Sequence, residues 1–257
     1  MPYPLPSAHT VAPAKATAMV LAAGRGARMR PLTDCTPKPL LMVRGSSLLE
    51  RTLQALANGG TRHVVVNTGW LGDEIESQIG LQRLLGKREQ LSISYSSEPR
   101  GAGQALETLG GIARALPLLA DIFWLAAGDV FAPGFAFSQA ARQRFAASDA
   151  LAHLWLVPNP PQHPQGDFGI SSAGLAINAP AGGTEPRFTY STIGLYRSAL
   201  FQAPHCSIAP GNPHGQAAPL APLLRAAIAQ GRVSAELYAG EWMDVGTPER
   251  LAALNAA

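Results

Sequence analysis

The chain has 257 residues, long enough for one α/β domain with a full core or for two small ones. With 47% apolar and 14% charged residues it is globular rather than disordered. A net charge of +3, with no block or stripe of cations, excludes a nucleic-acid-binding surface of the usual kind.

Residues 1–17 are rich in Pro and Ala and carry one charge, Lys15. They read as a disordered extension. The basic start of a secretory leader is missing, and no apolar run approaches the roughly 18 residues that span a bilayer. Cys35 and Cys206 have neither metal-ligand spacing nor a disulfide framework, which fits a reducing cytoplasm. A cytoplasmic protein without a membrane segment is expected.

The apolar run Ala18 to Ala23 predicts a buried strand. It empties into Gly24-Arg25-Gly26-Ala27-Arg28-Met29-Arg30-Pro31, a glycine-bearing loop loaded with cations. Lys38 follows, held between Pro37 and Pro39, which fix its backbone. Glycines let backbone N–H groups turn toward an anion, and Arg and Lys neutralise it, so the loop is suited to phosphates. No Walker string is present. A dinucleotide fingerprint would need glycine where Met29 stands, and that glycine serves close helix packing.

Ser46–Gly60 reads as a helix, with Leu48, Leu49, Leu53 and Leu56 near helical spacing. His63–Asn67 is a short buried strand, Leu71–Leu85 a helix stopped by Gly86, and Leu91–Ser96 an alternating strand. Leu106–Leu119 is a helix and Ile122–Ala127 an apolar strand. This alternation predicts a Rossmann-like, mainly parallel sheet with helices on both faces. Beyond Ala152 the segments His153–Val157, Phe168–Ile170, Leu175–Ile177 and Phe188–Leu195 predict strands, the last three short and antiparallel. Leu220–Ala229 is a helix, Val233–Leu237 and Glu241–Val245 strands, and Pro248–Leu254 a closing helix. The expected organisation is one domain over 18–257, a nucleotide-binding half at 18–130 and an acceptor-binding half at 131–257. No hexapeptide repeat appears, so no β-helical domain is expected.

Gly128-Asp129 stands where an apolar run ends, and ligands of open α/β sheets bind at such ends. Asp129 is a Mg²⁺ ligand beside phosphates or a cap of the next turn. Trp242-Met243-Asp244-Val245-Gly246-Thr247 repeats the layout, so Asp129 and Asp244 could hold one metal between them. Ser97-Glu98 and Leu106-Glu107-Thr108-Leu109-Gly110-Gly111-Ile112 form a second glycine-bearing turn, either a helix start with Glu107 on the macrodipole or a contact to nucleobase or ribose through Gly110. His163-Pro164-Gln165-Gly166-Asp167-Phe168 is a polar loop whose Asp167 suits sugar hydroxyls or a plain turn. His153 and His163 lack metal spacing.

The string L-A-A-G-x-G-x-R-M-x-P-L-T followed by P-K-P-L resembles the signature of the sugar-1-phosphate nucleotidyltransferases, and the likeness extends over nearly all of the chain after residue 17. Within that family it runs closest to the short uridylyltransferases that use UTP and N-acetylmuramate 1-phosphate in cell-wall recycling. The resemblance implies nucleotide contacts from Leu21, Ala22, Ala23, Gly24, Gly26, Arg28, Lys38, Thr108 and Gly110. It implies Mg²⁺ on Asp129 and Asp244, a sugar contact from Asp167, and catalysis by Arg28, Lys38, Asp129 and Asp244. Where the family shows Asn-Gly-Asp, this chain has Ala127-Gly128-Asp129, which removes an amide near the acceptor. Extra residues around Pro99–Ala105 bring Arg100 beside the base-reading turn. Glucose or mannose 1-phosphate with UTP, dTTP or GTP, and a non-catalytic nucleotide-sugar-binding protein, are the alternatives. Nothing in the sequence fixes the oligomeric state.

Overall fold

A computed structural model describes residues 14–85, 89–99, 105–180, 182–183 and 185–256. Most of the N-terminal extension, Gly86, and Arg100 with its neighbours to Gln104 lie outside these residues. The first strand, β1 (Ala16–Leu21), starts two residues before the apolar run predicts. It is joined in one sheet by β2 (His63–Thr68), β3 (Gln82–Leu85), β4 (Glu89–Ser97), β5 (Leu119–Ala127), β6 (Ala152–Val157), β7 (Thr189–Arg197) and β8 (Val233–Leu237). Their order is β8-β6-β7-β5-β1-β2-β4-β3. Strands β5, β1, β2 and β4 are mutually parallel. Strand β7 runs antiparallel between β5 and β6, and β3 antiparallel on β4. The sheet is mixed and mainly parallel, as the alternation predicts.

Among the described residues six α-helices cover it: α1 (Leu48–Asn58), α2 (Gly72–Ile79), α3 (Glu107–Ala115), α4 (Gln139–Ala146), α5 (Leu220–Ala229) and α6 (Pro248–Ala256). Successive strand residues face opposite layers. Val64 and Val66 join the core under α1, α2 and α4, whereas Val65 joins the core under α3 and α5. Strands buried on both faces read as unbroken apolar runs, which is why β1, β2 and β5 are so legible. Helix α1 begins at a capping box, Ser47 Oγ accepting from the Glu50 N–H while a Glu50 carboxylate oxygen accepts from the Ser47 N–H. Its Leu49, Leu53 and Leu56 are fully buried, each side chain contributing roughly 1.5–3 kcal/mol.

A third, smaller core lies at the carboxyl ends of the strands. Met29, Leu41, Val43, Leu48, Phe131, Val245 and Leu254 pack together there. Met29 is fully buried in it, so the residue that breaks the dinucleotide fingerprint is the anchor of the loop.

Helix α4 has no counterpart among the predicted elements, and two predicted segments differ in form. The helix expected over Leu71–Leu85 ends at Ile79, because Gly80 turns the chain at φ +75, and Gln82–Leu85 continues as edge strand β3. The short antiparallel strand expected over Phe188–Leu195 is antiparallel but longer, nine-residue β7 from Thr189 to Arg197, inserted beside β5.

Candidate active site

The loop after β1 and the turn after β5 meet over a cleft of about 500 Å³. Leu21, Ala22, Ala23, Gly24, Gly26, Arg28, Lys38, Thr108, Ala127 and Asp129, all singled out in the sequence, line it. The chain reverses at Gly26, φ +63, and a Cβ there would stand 3.2 Å from that of Lys38.

The structure sorts the loop's cations. Arg25 stacks on Trp70, its Cζ 3.8 Å from the ring centroid, and pairs with Asp34 at 2.6 Å. Arg30 pairs with the same Asp34 oxygen at 3.0 Å. The Arg25 guanidinium, helped by Arg30, holds the Asp34 carboxyl below its usual range. Arg28 has no ion pair among the described residues and lies exposed at the cleft. Two of the three arginines thus brace the loop, and the third faces the cleft.

Lys38 is the reverse case, a cation only 8% exposed. Its Nζ lies 2.5 Å from Asp129 Oδ2 and 3.7 Å from Asp244 Oδ1. The two acids are brought together by a short antiparallel pairing of Val130–Phe131 with Met243–Asp244. The Val245 N–H donates to the Asp129 carbonyl at 3.3 Å, and Phe131 and Val245 sit in the small core below. Arg250 holds the far oxygen of Asp244 at 3.0 Å. Two carboxylates from the two halves of the chain therefore converge on one cationic centre.

On the other wall, the Ala22 N–H donates to Asn67 Oδ1 at 2.8 Å, and Asn67 Nδ2 donates to Glu98 Oε1 at 2.6 Å. Glu98 Oε2 accepts from the Leu106 N–H at 3.0 Å. This chain of bonds ties the phosphate loop to the start of α3. Burial pushes the Glu98 carboxyl up, and the Leu106 and Asn67 donors oppose the shift. Local sequence patterns group Glu98 with the turn at Gly110 but assign neither it nor Asn67 this bridging role.

A second cavity of about 330 Å³ adjoins the cleft, sharing Asp129 and Thr192 with it and lined further by Asp244, His163, Tyr190 and Trp242. Thr192 reaches the junction because β7 bulges: the register against β6 shifts between Tyr190 and Ile193, and Thr192 takes φ +63. Ser191 Oγ donates to the Trp155 carbonyl at 2.6 Å and accepts from the Ile193 N–H at 3.1 Å. The Ser191 carbonyl accepts from Trp242 Nε1 at 3.1 Å, which couples the bulge to the Asp244 strand.

Gly110 and Asp167 line neither cavity. Gly110 allows a close chain approach, since a Cβ there would stand 2.3 Å from the Gln216 carbonyl oxygen. Both carboxylate oxygens of Asp167 are engaged, Oδ1 with His163 Nε2 at 3.1 Å and Oδ2 with the Tyr190 N–H at 2.8 Å.

A family model described as nucleotidyl transferase matches residues 17–257. The chain belongs to that family. It is 43% identical to the N-acetylmuramate alpha-1-phosphate uridylyltransferase of Neisseria meningitidis serogroup B, over 91% of this chain and 94% of that protein. A protein of the same name from Caulobacter vibrioides is 31% identical, over 93% of this chain and 95% of its own. Among solved structures, a chain assigned as a glucose-1-phosphate thymidylyltransferase from Bacillus anthracis, crystallised with sucrose, superposes with a TM-score of 0.75. At 18% identity, over 93% of this chain and 94% of that one, it shows the nucleotidyltransferase fold. This protein is therefore an enzyme of nucleotidyl transfer, and no helix among its described residues is long and apolar enough to cross a membrane.

Proposed function

We propose that this nucleotidyltransferase joins UTP to N-acetylmuramate 1-phosphate, giving UDP-N-acetylmuramate and pyrophosphate. The observation that carries the transfer chemistry is the convergence of Asp129 and Asp244 on Lys38 at the mouth of the phosphate loop. The substrate pair is supported by the full-length likeness to the Neisseria and Caulobacter uridylyltransferases.

The reaction is a single in-line displacement. An oxygen of the sugar phosphate forms a bond to the α-phosphorus of UTP, and the bond from that phosphorus to the β-phosphate oxygen breaks. A phosphate monoester has its second pKa near about 6, so the nucleophile is already largely dianionic at pH 7. No general base is required. Catalysis rests on positioning and on neutralising charge. The backbone from Leu21 to Gly26 cradles the triphosphate, and Arg28 holds the departing pyrophosphate. Lys38, nearly buried, faces the α-phosphoryl group, where its field is weakly screened. Thr108 and its backbone face the base, held by the Glu98 bonds to Leu106 and Asn67.

Two carboxylates that already share one cation form an oxygen donor set suited to Mg²⁺, which takes one or two protein carboxylates and completes its shell with phosphate and water. Asp129 and Asp244 would hold it, and its charge would neutralise the reacting phosphates. The cytoplasm is the compartment that supplies such substrates.

The test is Mg²⁺-dependent UDP-sugar formation by the native enzyme, Asp129→Asn and Asp244→Asn. Turnover by the native enzyme, with a fall of about 10²–10³ in kcat for each variant, is expected. Near-full Mg²⁺-dependent turnover by Asp129→Asn would contradict the assignment.

A further inference from the structure

The acceptor-side cavity poses an electrostatic problem for an acidic sugar. Asp129 and Asp244 line it, and either would repel a carboxylate placed against it. N-acetylmuramate carries such a carboxylate on its lactyl ether. Among the described residues, His163 is the one side chain lining this cavity that can carry positive charge.

The ring is not loose. Its Nε2 faces Asp167 Oδ1 at 3.1 Å, and Asp167 is itself held by the Tyr190 N–H on Oδ2. The Asp167 carbonyl accepts from Arg187 Nη2 at 3.2 Å, which fixes the residue from its backbone side as well. Local turns close the loop, with the His163 N–H on the Pro160 carbonyl at 2.9 Å and the Gly166 N–H on the His163 carbonyl at 3.3 Å. With Nε2–H given to Asp167, Nδ1 has no hydrogen-bond partner among the described residues. The imidazolium form has a second N–H there to give.

We infer that His163, oriented by Asp167, is the specificity residue that reads the carboxylate of an acidic sugar 1-phosphate. Asp167 is then a positioning residue acting through His163 rather than a group that binds sugar hydroxyls. The inference rests on the N-acetylmuramate reading above and deepens it.

The experiment compares N-acetylmuramate 1-phosphate with N-acetylglucosamine 1-phosphate, which lacks the lactyl group, in the native enzyme, His163→Gln, His163→Arg and Asp167→Asn. A hydrogen bond to a charged group supports a drop of roughly tenfold to hundredfold in the muramate-over-glucosamine ratio of kcat/KM for His163→Gln. The loss falls on KM for the muramate substrate, while kcat at saturation and KM for UTP hold. His163→Arg restores part of the ratio, and Asp167→Asn lowers it by less than His163→Gln does. A native enzyme that prefers the muramate substrate with an unchanged ratio in His163→Gln overturns the inference alone. A native enzyme that turns over only neutral sugar phosphates, or none, overturns the substrate reading and the inference together. Should His163→Gln lower the melting temperature, His163→Arg decides: retained preference supports the inference, and lost preference overturns it.

Discussion

Lys38 Nζ lies 2.5 Å from Asp129 Oδ2 although the residues are separated by 91 positions in sequence. The contact is made where a proline-flanked turn after β1 meets the first turn after β5, and Asp244 approaches the same ammonium at 3.7 Å. A nearly buried ammonium between two carboxylates holds each acid in place.

Replacing Lys38 should therefore be felt in the chemical step. Lys38→Met removes a preorganised charge and is expected to lower kcat by about 10²–10³. Lys38→Arg should not rescue it, because a broad planar guanidinium does not replace a compact ammonium set 2.5 Å from Asp129 and 3.7 Å from Asp244. Single-turnover pyrophosphate release measures both.

Glu98 gives a pH signature in stability. Burial raises its carboxyl above the ordinary 4.5, so the folded state binds the proton more tightly than the unfolded chain. Its stabilising contribution is full below about that value and is lost as pH rises through the raised folded pKa. Glu98→Gln removes this titration. The melting temperature of the native protein relative to Glu98→Gln should fall between about pH 4 and the raised pKa. A difference that is flat across that window would contradict the burial argument.

Neighbouring glycines of α3 should behave differently. A Cβ on Gly111 would stand 2.7 Å from Glu98 Oε1 and 2.9 Å from Asn67 Nδ2, in the bonds that tie α3 to the phosphate loop. Gly111→Ala is expected to cost about 1–3 kcal/mol and also to raise KM for the nucleotide. Gly110→Ala collides with the Gln216 backbone and should destabilise the fold with a smaller effect on that KM. Thermal melts and UTP titrations separate the two.

Thr192 occupies a left-handed backbone conformation at the junction of the two cavities. Thr192→Gly relieves roughly 1–2 kcal/mol of local strain, offset in part by the greater freedom of glycine in the unfolded chain. The melting temperature should hold or rise slightly while kcat/KM for the sugar phosphate falls. A parallel loss of stability and activity would mark the residue as structural only.

How far the sequence reached follows from the physics of each element. The loop from Gly24 to Lys38 was legible because its chemistry is local, as was the burial of β1, β2 and β5 in unbroken apolar runs. The sorting of Arg25, Arg28 and Arg30 was not, since it depends on Trp70 and Asp34 in space. The Asn67–Glu98 pair needs the parallel register of β2 on β4, which no local pattern encodes. The bulge at Thr192 leaves no periodic signal, and α4 buries only Ala141 and Phe145, too few apolar positions to announce a helix. Asp167 reads in the sequence as a sugar contact or a plain turn, and its engagement with His163 and Tyr190 appears only in three dimensions.

The most direct measurement is pyrophosphate release with Mg²⁺, crossing UTP, dTTP, GTP and CTP with the 1-phosphates of N-acetylmuramate, N-acetylglucosamine, glucose and mannose. Strong turnover confined to UTP with N-acetylmuramate 1-phosphate is the predicted result. A preference for any other pair, or nucleotide binding with no turnover across the whole panel, would contradict it.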